Sequence, residues 1–316
     1  MLRRIGFMIV VLFAAITINF FIPRLMPGDV TNYLISSDAP PEVADAILKR
    51  LGLDRPMWEQ FVIYVKNTFT GTWGYSFRAG TDPVSGLILA RLPRTLALLI
   101  PAEIIAVSIG YFLGVTAGWK AGSRKDYFIT GGGLILWAMP MFWTAMILLY
   151  VGGYLLNWFP IRGYRTVGVE MSFFSMVWDR IWHMILPVLV LVSKFGAAEL
   201  VMRNTMTITL KQNYVTTARA KGLSEMRVKH RHAARNALIP LVTSTALRMA
   251  SMAAGLIFIE TVFTYPGMGK LVFDSVIFGD YPVLQACFLM FAIIIVATIF
   301  LLDLFYARLD PRVRYE

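Results

Sequence analysis

The chain has 316 residues, of which 57% are hydrophobic and only 16% charged, and its mean hydropathy is +0.64. A water-soluble fold of this size needs a polar shell that so few charges cannot supply, so the composition argues against a soluble enzyme and for a membrane protein. The net charge of +11 would suggest nucleic acid in a soluble chain but belongs to loops in a membrane chain, and the single cysteine, Cys287 in an apolar run, argues against disulfides and a thiolate zinc site.

Six apolar stretches are long enough to cross a bilayer, which takes about 20 helical residues. The first, Ile5–Ile22, follows Arg3 and Arg4 and is followed by Pro23-Arg24-Leu25 rather than a small-residue cleavage site. It reads as an uncleaved first span occupying 1–22. The segment 23–94 comes next, on the outer face. Asp38 as N-cap, Pro41 and Glu42 in a first turn, Lys49 and Arg50 in a last turn and Gly52 as stop predict one short helix; Pro56 to Thr70, ended by Gly71, predicts a second. Such a segment is a small folded lid or a plain connection. A five-span core, 95–316, follows with spans at Leu96–Trp119, Tyr127–Val151, Trp182–Met202, Leu238–Phe263 and Val283–Tyr306. The second span carries Gly110, Gly114 and Gly118, a spacing that lets helices pack closely. Pro101, Pro140 and Pro187 fall inside spans and are expected to bend them.

Basic residues in the connections set the orientation. With the N-terminus inside, the inner segments hold Arg3 and Arg4, Lys120 with Arg124 and Lys125, eight residues from Arg203 to Arg235, and Arg308, Arg312 and Arg314, against four acids (Asp126, Glu225, Asp310, Glu316). The outer segments are nearly balanced. Both termini are therefore expected in the cytoplasm, with the most basic segment, 203–237, between spans four and five.

Chemistry is sparse. His183, His230 and His232 form no His-Glu-x-x-His motif, and residues two apart on a helix cannot share a metal in the i, i+4 way. No Gly-x-Ser-x-Gly elbow is present. The one Gly-Lys pair, Gly269-Lys270, precedes Leu271 and forms no phosphate loop. Ionisable groups inside spans are Glu103, Lys194, Glu199, Arg248, Glu260 and Asp303; each costs about 2.5–3.5 kcal/mol at the bilayer centre on insertion scales. Lys194 and Arg248 lie deepest and read as lining of a polar pathway or as snorkelling cations. Glu199 and Arg203, four apart, can pair. Glu260 and Asp303 sit near span ends.

Three readings compete for the basic segment. A nucleic-acid patch would need interleaved aromatics, and only Tyr214 is present. Anionic headgroups attract Lys and Arg at about 1 kcal/mol each, but lipid does not account for Ala218, Ala220 and Gly222. A helix over roughly Asn213–Lys221, ended at Gly222 and rich in small side chains, suits docking into a groove on a cytoplasmic protein.

The stretch Tyr214-Val-Thr-Thr-Ala-Arg-Ala-Lys-Gly-Leu-Ser-Glu225, followed by His232-Ala-Ala-Arg-Asn-Ala-Leu-Ile-Pro240, resembles the signature loop of ATP-binding-cassette importer permeases, in the dipeptide, oligopeptide and nickel branch. The resemblance extends over "MLRRIGFMIVVLFAAITINFFIPRLMPGD" at the start, "LGLDRP" (51–56), "GTWGYSF" (71–77), "ETVFTYPGMGKLVFDSVIFGDYPVLQ" (260–285) and "DLFYARLDPRVR" (303–314). Two positions depart from the pattern. The loop's leading acid is missing, with Thr216 and Thr217 before Ala218, and Thr72 replaces the branch's usual acid.

The resemblance implies an all-α polytopic membrane protein of the type I importer permease fold, with six transmembrane helices and both termini cytoplasmic, in the cell membrane of a prokaryote. It implies no cofactor and no nucleotide site of its own. The implied partners are a second similar permease, two cytoplasmic ATP-binding subunits, an extracytoplasmic solute-binding protein and the lipid bilayer, without nucleic acid. Tyr214, Thr217, Ala218, Arg219, Ala220, Lys221 and Gly222 would form the ATPase-coupling loop, moving spans four and five as a rigid unit, with Pro240 opening span five. The implied cargo is peptide, with oligosaccharide or nickel as alternatives; an ion-coupled carrier is the alternative of a different class.

Overall fold

The computed structural model describes residues 2–25, 42, 49, 54–78 and 82–309. The helix expected from Asp38 to Gly52 therefore lies outside the described residues, as does the Asp303 side chain. Among the described residues there are helices and one isolated β-bridge. In chain order the α-helices are α1 (Leu2–Leu25), α2 (Met57–Thr70), α3 (Val84–Trp119), α4 (Arg124–Ala138), α5 (Met141–Leu148), α6 (Phe173–Val192), α7 (Gly196–Thr209), α8 (Asn213–Ala220), α9 (Glu225–Arg227), α10 (Arg235–Val262), α11 (Met268–Ile277) and α12 (Tyr281–Leu309). Wider π-helical turns occupy Leu149–Leu155 and Val228–Ala234, and a 3-10 turn, Ser193–Phe195, joins α6 to α7.

Among the described residues three continuous runs are long and apolar enough to cross a membrane: Val84–Trp119, Phe173–Thr209 and Tyr281–Leu301. Two bent pairs raise the number to five, and Gly6–Phe21 is a shorter apolar helix. The expected third span is the clearest departure from a straight rod. At Pro140 it breaks by 97° between α4 and the run from Met141 to Leu155. Pro140 has no N–H to give Leu136, and its ring forbids a helix continuing through it. Pro101 and Pro187 each lie inside a continuous α-helix. Pro240 does not open span five. It lies inside α10, and the helical run begins at Glu225, because successive α, π and α turns replace the expected loop.

The residues cluster into two compact units, Met1–Arg94 with Gly267–Ala297, and Thr95–Pro266 with Thr298–Glu316. In the first unit, Phe20 of α1 packs edge-on against Phe61 of α2, with ring centroids 5.2 Å apart. Asn19 amide donates to the Tyr64 hydroxyl (2.9 Å) and the Gln285 carbonyl (2.7 Å), tying α1 to α2 and α12. Gly71 ends α2 with φ +72°, as its place after the apolar run predicts. Beyond it the chain turns back so that Tyr75 bridges Pro83. Asp280 closes this turn, accepting from Ser76 Oγ at 2.5 Å and the Phe77 amide at 3.1 Å. Thr72 bonds locally instead, its hydroxyl 2.6 Å from that of Thr70.

The second unit has an apolar core of Leu98, Ala102, Leu186, Leu191, Leu256 and Ile259, drawn from α3, α6 and α10. A further cluster centred on Val115, Ala198, Met202, Met206 and Leu241 joins α3, α7 and α10. The glycine row explains how α3 and α7 come so close. A Cβ built on Gly110 would lie 2.5 Å from Ala198 Cβ, one on Gly114 2.6 Å from Met202 Cβ and the Glu199 carbonyl, and one on Gly118 2.6 Å from Met206 Cβ. Every one of those distances is shorter than atoms tolerate, so only glycine fits between the two backbones.

Candidate functional site

Between α7 and α10 the basic segment folds into a small helical platform. The polar N-terminal turn and the small residues that follow give α8, and Gly222 stops it with φ +71°, a conformation that costs an L side chain about 1–2 kcal/mol. The platform is held by its own apolar cluster of Val215, Ala218 and Val228, against which Trp119, Leu210 and Leu223 pack. Arg219 guanidinium lies over the Trp119 ring at 5.5 Å and pairs with Glu225 at 3.3 Å. Lys229 is half-buried, and that burial together with the nearby Lys120 ammonium lowers its pKa from the ordinary lysine value.

The seven coupling-loop residues divide by face. Tyr214, Thr217, Arg219, Ala220, Lys221 and Gly222 are exposed, and nothing lies within 4 Å of a Cβ built on Gly222. Ala218 is only 4% exposed and points inward. Its small size seats α8 on the protein's own body rather than clearing space for a partner. Val215, one helical turn before it, does the same and was not singled out from the sequence; its i, i+3 relation to Ala218 was the available signal.

The ionisable groups inside the spans find partners that spacing alone did not give. Arg203 does not pair with Glu199. It grips Asp126 at the head of α4 with two bonds, 3.0 Å from Nε to Oδ1 and 2.7 Å from Nη2 to Oδ2. The planar guanidinium fork matches a carboxylate in this way. Glu199, fully buried, accepts instead from the Thr130 hydroxyl at 3.0 Å. Glu260 is also fully buried despite lying near a span end, and accepts from Thr95 of α3 at 2.7 Å. Arg248 of α10 pairs with Glu103 of α3.

Lys194 sits in the 3-10 turn between α6 and α7 and is 7% exposed. Its ammonium donates to the carbonyls of Leu136 (2.9 Å), Trp137 (3.4 Å) and Met139. These are the carbonyls of the broken end of α4, and the Leu136 oxygen is the one that Pro140 leaves without an N–H. Lys194 and Arg248 border one cavity of about 190 Å³, with Trp137, Met139, Met141 and Met252 among its walls. The structure thus brings Lys194 and Arg248 to one cavity at the break in the helix. Of the histidines, His183 is buried and its ring Nδ1 lies 2.8 Å from the Asp179 carbonyl, a local contact within α6.

Comparison with known proteins bears on this arrangement. The model of binding-protein-dependent transport system inner membrane components matches residues 110–315, and that of the N-terminal region of such membrane components matches 1–99. The chain is 36% identical over 315 residues to the oligopeptide transport system permease protein AppB of Bacillus subtilis, covering 99% of this chain and 98% of that one. It is 33% identical to the dipeptide transport system permease protein DppB of Escherichia coli K12, covering 100% and 98%. Among solved structures, an inward-facing form of the MetNI methionine ABC transporter matches with a TM-score of 0.58 at 13% identity, over 73% of this chain and 99% of that one.

Proposed function

The chain belongs to the family of binding-protein-dependent transport system inner-membrane components, and on that premise we propose that it is the membrane-spanning subunit of an ATP-driven importer of peptides. The observation that carries the reading is the exposed edge of α8. Of the seven coupling-loop residues, four face outward on a short helix whose inner edge is anchored in an apolar cluster, and Lys221 and Gly222 are exposed just beyond its end. A helix so mounted passes a push to whatever it is packed on. From Glu225 the chain runs as helix through the second π-helical turn into α10, and Gly196–Thr209 packs along α3 over the glycine row. Movement of the platform therefore shifts α7 and the first part of α10, up to Met249, rather than being absorbed in a slack loop.

In the mechanism we infer, two cytoplasmic ATP-binding subunits each receive such a platform, one from this chain and one from a second, similar permease. Closure of the ATPases on ATP moves the platforms inward, and α7 and α10 turn to open a pathway to the solute-binding protein outside; hydrolysis reverses the motion. Tyr214, Thr217, Arg219, Ala220, Lys221 and Gly222 touch the ATPase, and Ala218 holds the helix from behind. Lys194 and Arg248 border the pathway. The names of the full-length relatives support peptide as cargo.

The test is reconstitution of the purified chain in liposomes, with and without the two nucleotide-binding chains, the second permease and the delivery protein. Peptide uptake that needs all components and internal ATP is the expected result. Uptake by this chain alone on a proton or sodium gradient refutes the ATP-driven reading, and uptake of nickel or oligosaccharide in place of peptide refutes the cargo.

A further inference from the structure

Resting on the peptide-importer reading, we propose that the cavity at the Pro140 break is a subsite for the carboxylate end of the cargo, with Lys194 supplying the charge. The argument starts from charge balance. Among the described residues Glu103 answers Arg248, but no carboxylate answers Lys194. Its ammonium meets only backbone carbonyls, which satisfy its N–H groups and, as the C-terminal end of a helix, offset roughly half of its charge without cancelling it. An uncompensated cation in an apolar interior is costly, and buried charges in stable proteins are paired. A cation kept there beside an open volume suits an anion that comes and goes.

The volume agrees. At about 190 Å³ the cavity holds roughly six waters' worth of space, below the range that encloses a whole drug-sized ligand. It therefore accommodates the end of a peptide rather than all of it. A peptide's last residue presents one carboxylate, matching the single excess charge, and a side chain of any kind. Met139, Met141 and Met252 suit the latter, because unbranched thioethers re-pack around different shapes. Arg248, held by Glu103 across from α3, keeps a second cation at the rim. Permanent occupation is disfavoured because Lys194's donors already serve carbonyls, so attraction rests on charge rather than on a dedicated hydrogen-bond cradle. Such a site speeds entry without retaining the cargo.

The experiment uses the complete transporter in liposomes with its delivery protein and ATP, and compares uptake of labelled trialanine with that of its C-terminal amide. Both are measured for wild type, Lys194→Gln, Lys194→Met and Ala197→Leu, the last closing the cavity while leaving Lys194 in place. The delivery protein is the same in every arm, so its own preference cancels when the acid-to-amide ratio of a variant is divided by that of wild type. The ratio is expected to fall roughly tenfold in both Lys194 variants, the order expected when one charge–charge attraction in a desolvated site is lost. Ala197→Leu is expected to lower uptake of both forms. Equal losses of acid and amide in the Lys194 variants overturn the subsite and leave Lys194 as a cap alone, with the peptide reading intact. If neither Lys194 variant assembles, undiminished uptake by Ala197→Leu overturns it. Failure of wild type to take up either peptide overturns the peptide reading and the subsite together.

Discussion

Replacing Gly114 with alanine adds one methyl group at the point where α3 and α7 meet. That methyl would sit 2.6 Å from both Met202 Cβ and the Glu199 carbonyl oxygen, whereas carbon contacts relax at about 3.5–4.0 Å. Neither neighbour is the free end of a flexible side chain, so the backbones themselves must part by about 1 Å. Overpacking of this kind costs about 1–3 kcal/mol, and alanine's better helix propensity returns about 1 kcal/mol. Gly131 of α4 supplies the control, because nothing lies within 4 Å of a Cβ built there. Gly131→Ala should collect the propensity gain alone. The two variants should therefore straddle wild type, separated by about 1–3 kcal/mol. Thermal denaturation of the purified transporter in detergent, followed by the loss of the monodisperse peak on size exclusion, reads the order directly. A Gly114→Ala protein as heat-resistant as Gly131→Ala would mean that α3 and α7 do not approach as described.

The remaining predictions concern the platform and two polar contacts. Gly222→Trp should abolish ATP-driven uptake while leaving assembly in the membrane intact, since the position is exposed with open space around it, and Gly222→Ala, which carries the same backbone strain of about 1–2 kcal/mol, should retain uptake; normal uptake by the Trp variant would remove Gly222 from the coupling surface. Asp126→Asn strands an Arg203 side chain that is 27% exposed beside a carboxylate position that is 2% exposed, and should cost about 1–3 kcal/mol. Adding Arg203→Met should recover part of that loss in the same melting assay, and no recovery would show that the two residues act separately. Asp280→Ala should free the turn at Ser76 and Phe77, seen as faster protease cleavage near residue 77 in sealed vesicles, with Asp280→Asn intermediate.

Much of this architecture is legible in the residue pattern because apolar length and helix stops are local signals. Asn213–Lys221 with its Gly222 stop was readable to within a residue, and the four-residue spacing of Gly110, Gly114 and Gly118 marked a close helix approach. What sequence could not give is which distant group answers each charge. Glu199 and Arg203 have the spacing of a helical ion pair, yet Asp126 lies across from Arg203 and offers both oxygens, while Thr130 reaches Glu199. Lys194 reads as pathway lining because it and Arg248 are two deep cations without a deep carboxylate pair; the partners that the fold supplies are carbonyls 55 to 58 residues earlier in the chain. Ala218 read as a docking contact because small residues serve both inner and outer faces, and only the fold distinguishes them. Pro240 looked like a helix start because proline favours a first turn, but the helical run preceding it absorbs the ring well inside.

The dependence of α4's broken end on Lys194 also bears on biosynthesis. The Leu136 oxygen emerges from the ribosome 58 residues ahead of the ammonium that satisfies it, and a bare carbonyl is costly in hydrocarbon. The first half of this pair of segments is thus poorly suited to release into lipid by itself. That oxygen gains its ammonium partner only once both segments are made, so the order of synthesis and the geometry of the finished protein are linked through one proline.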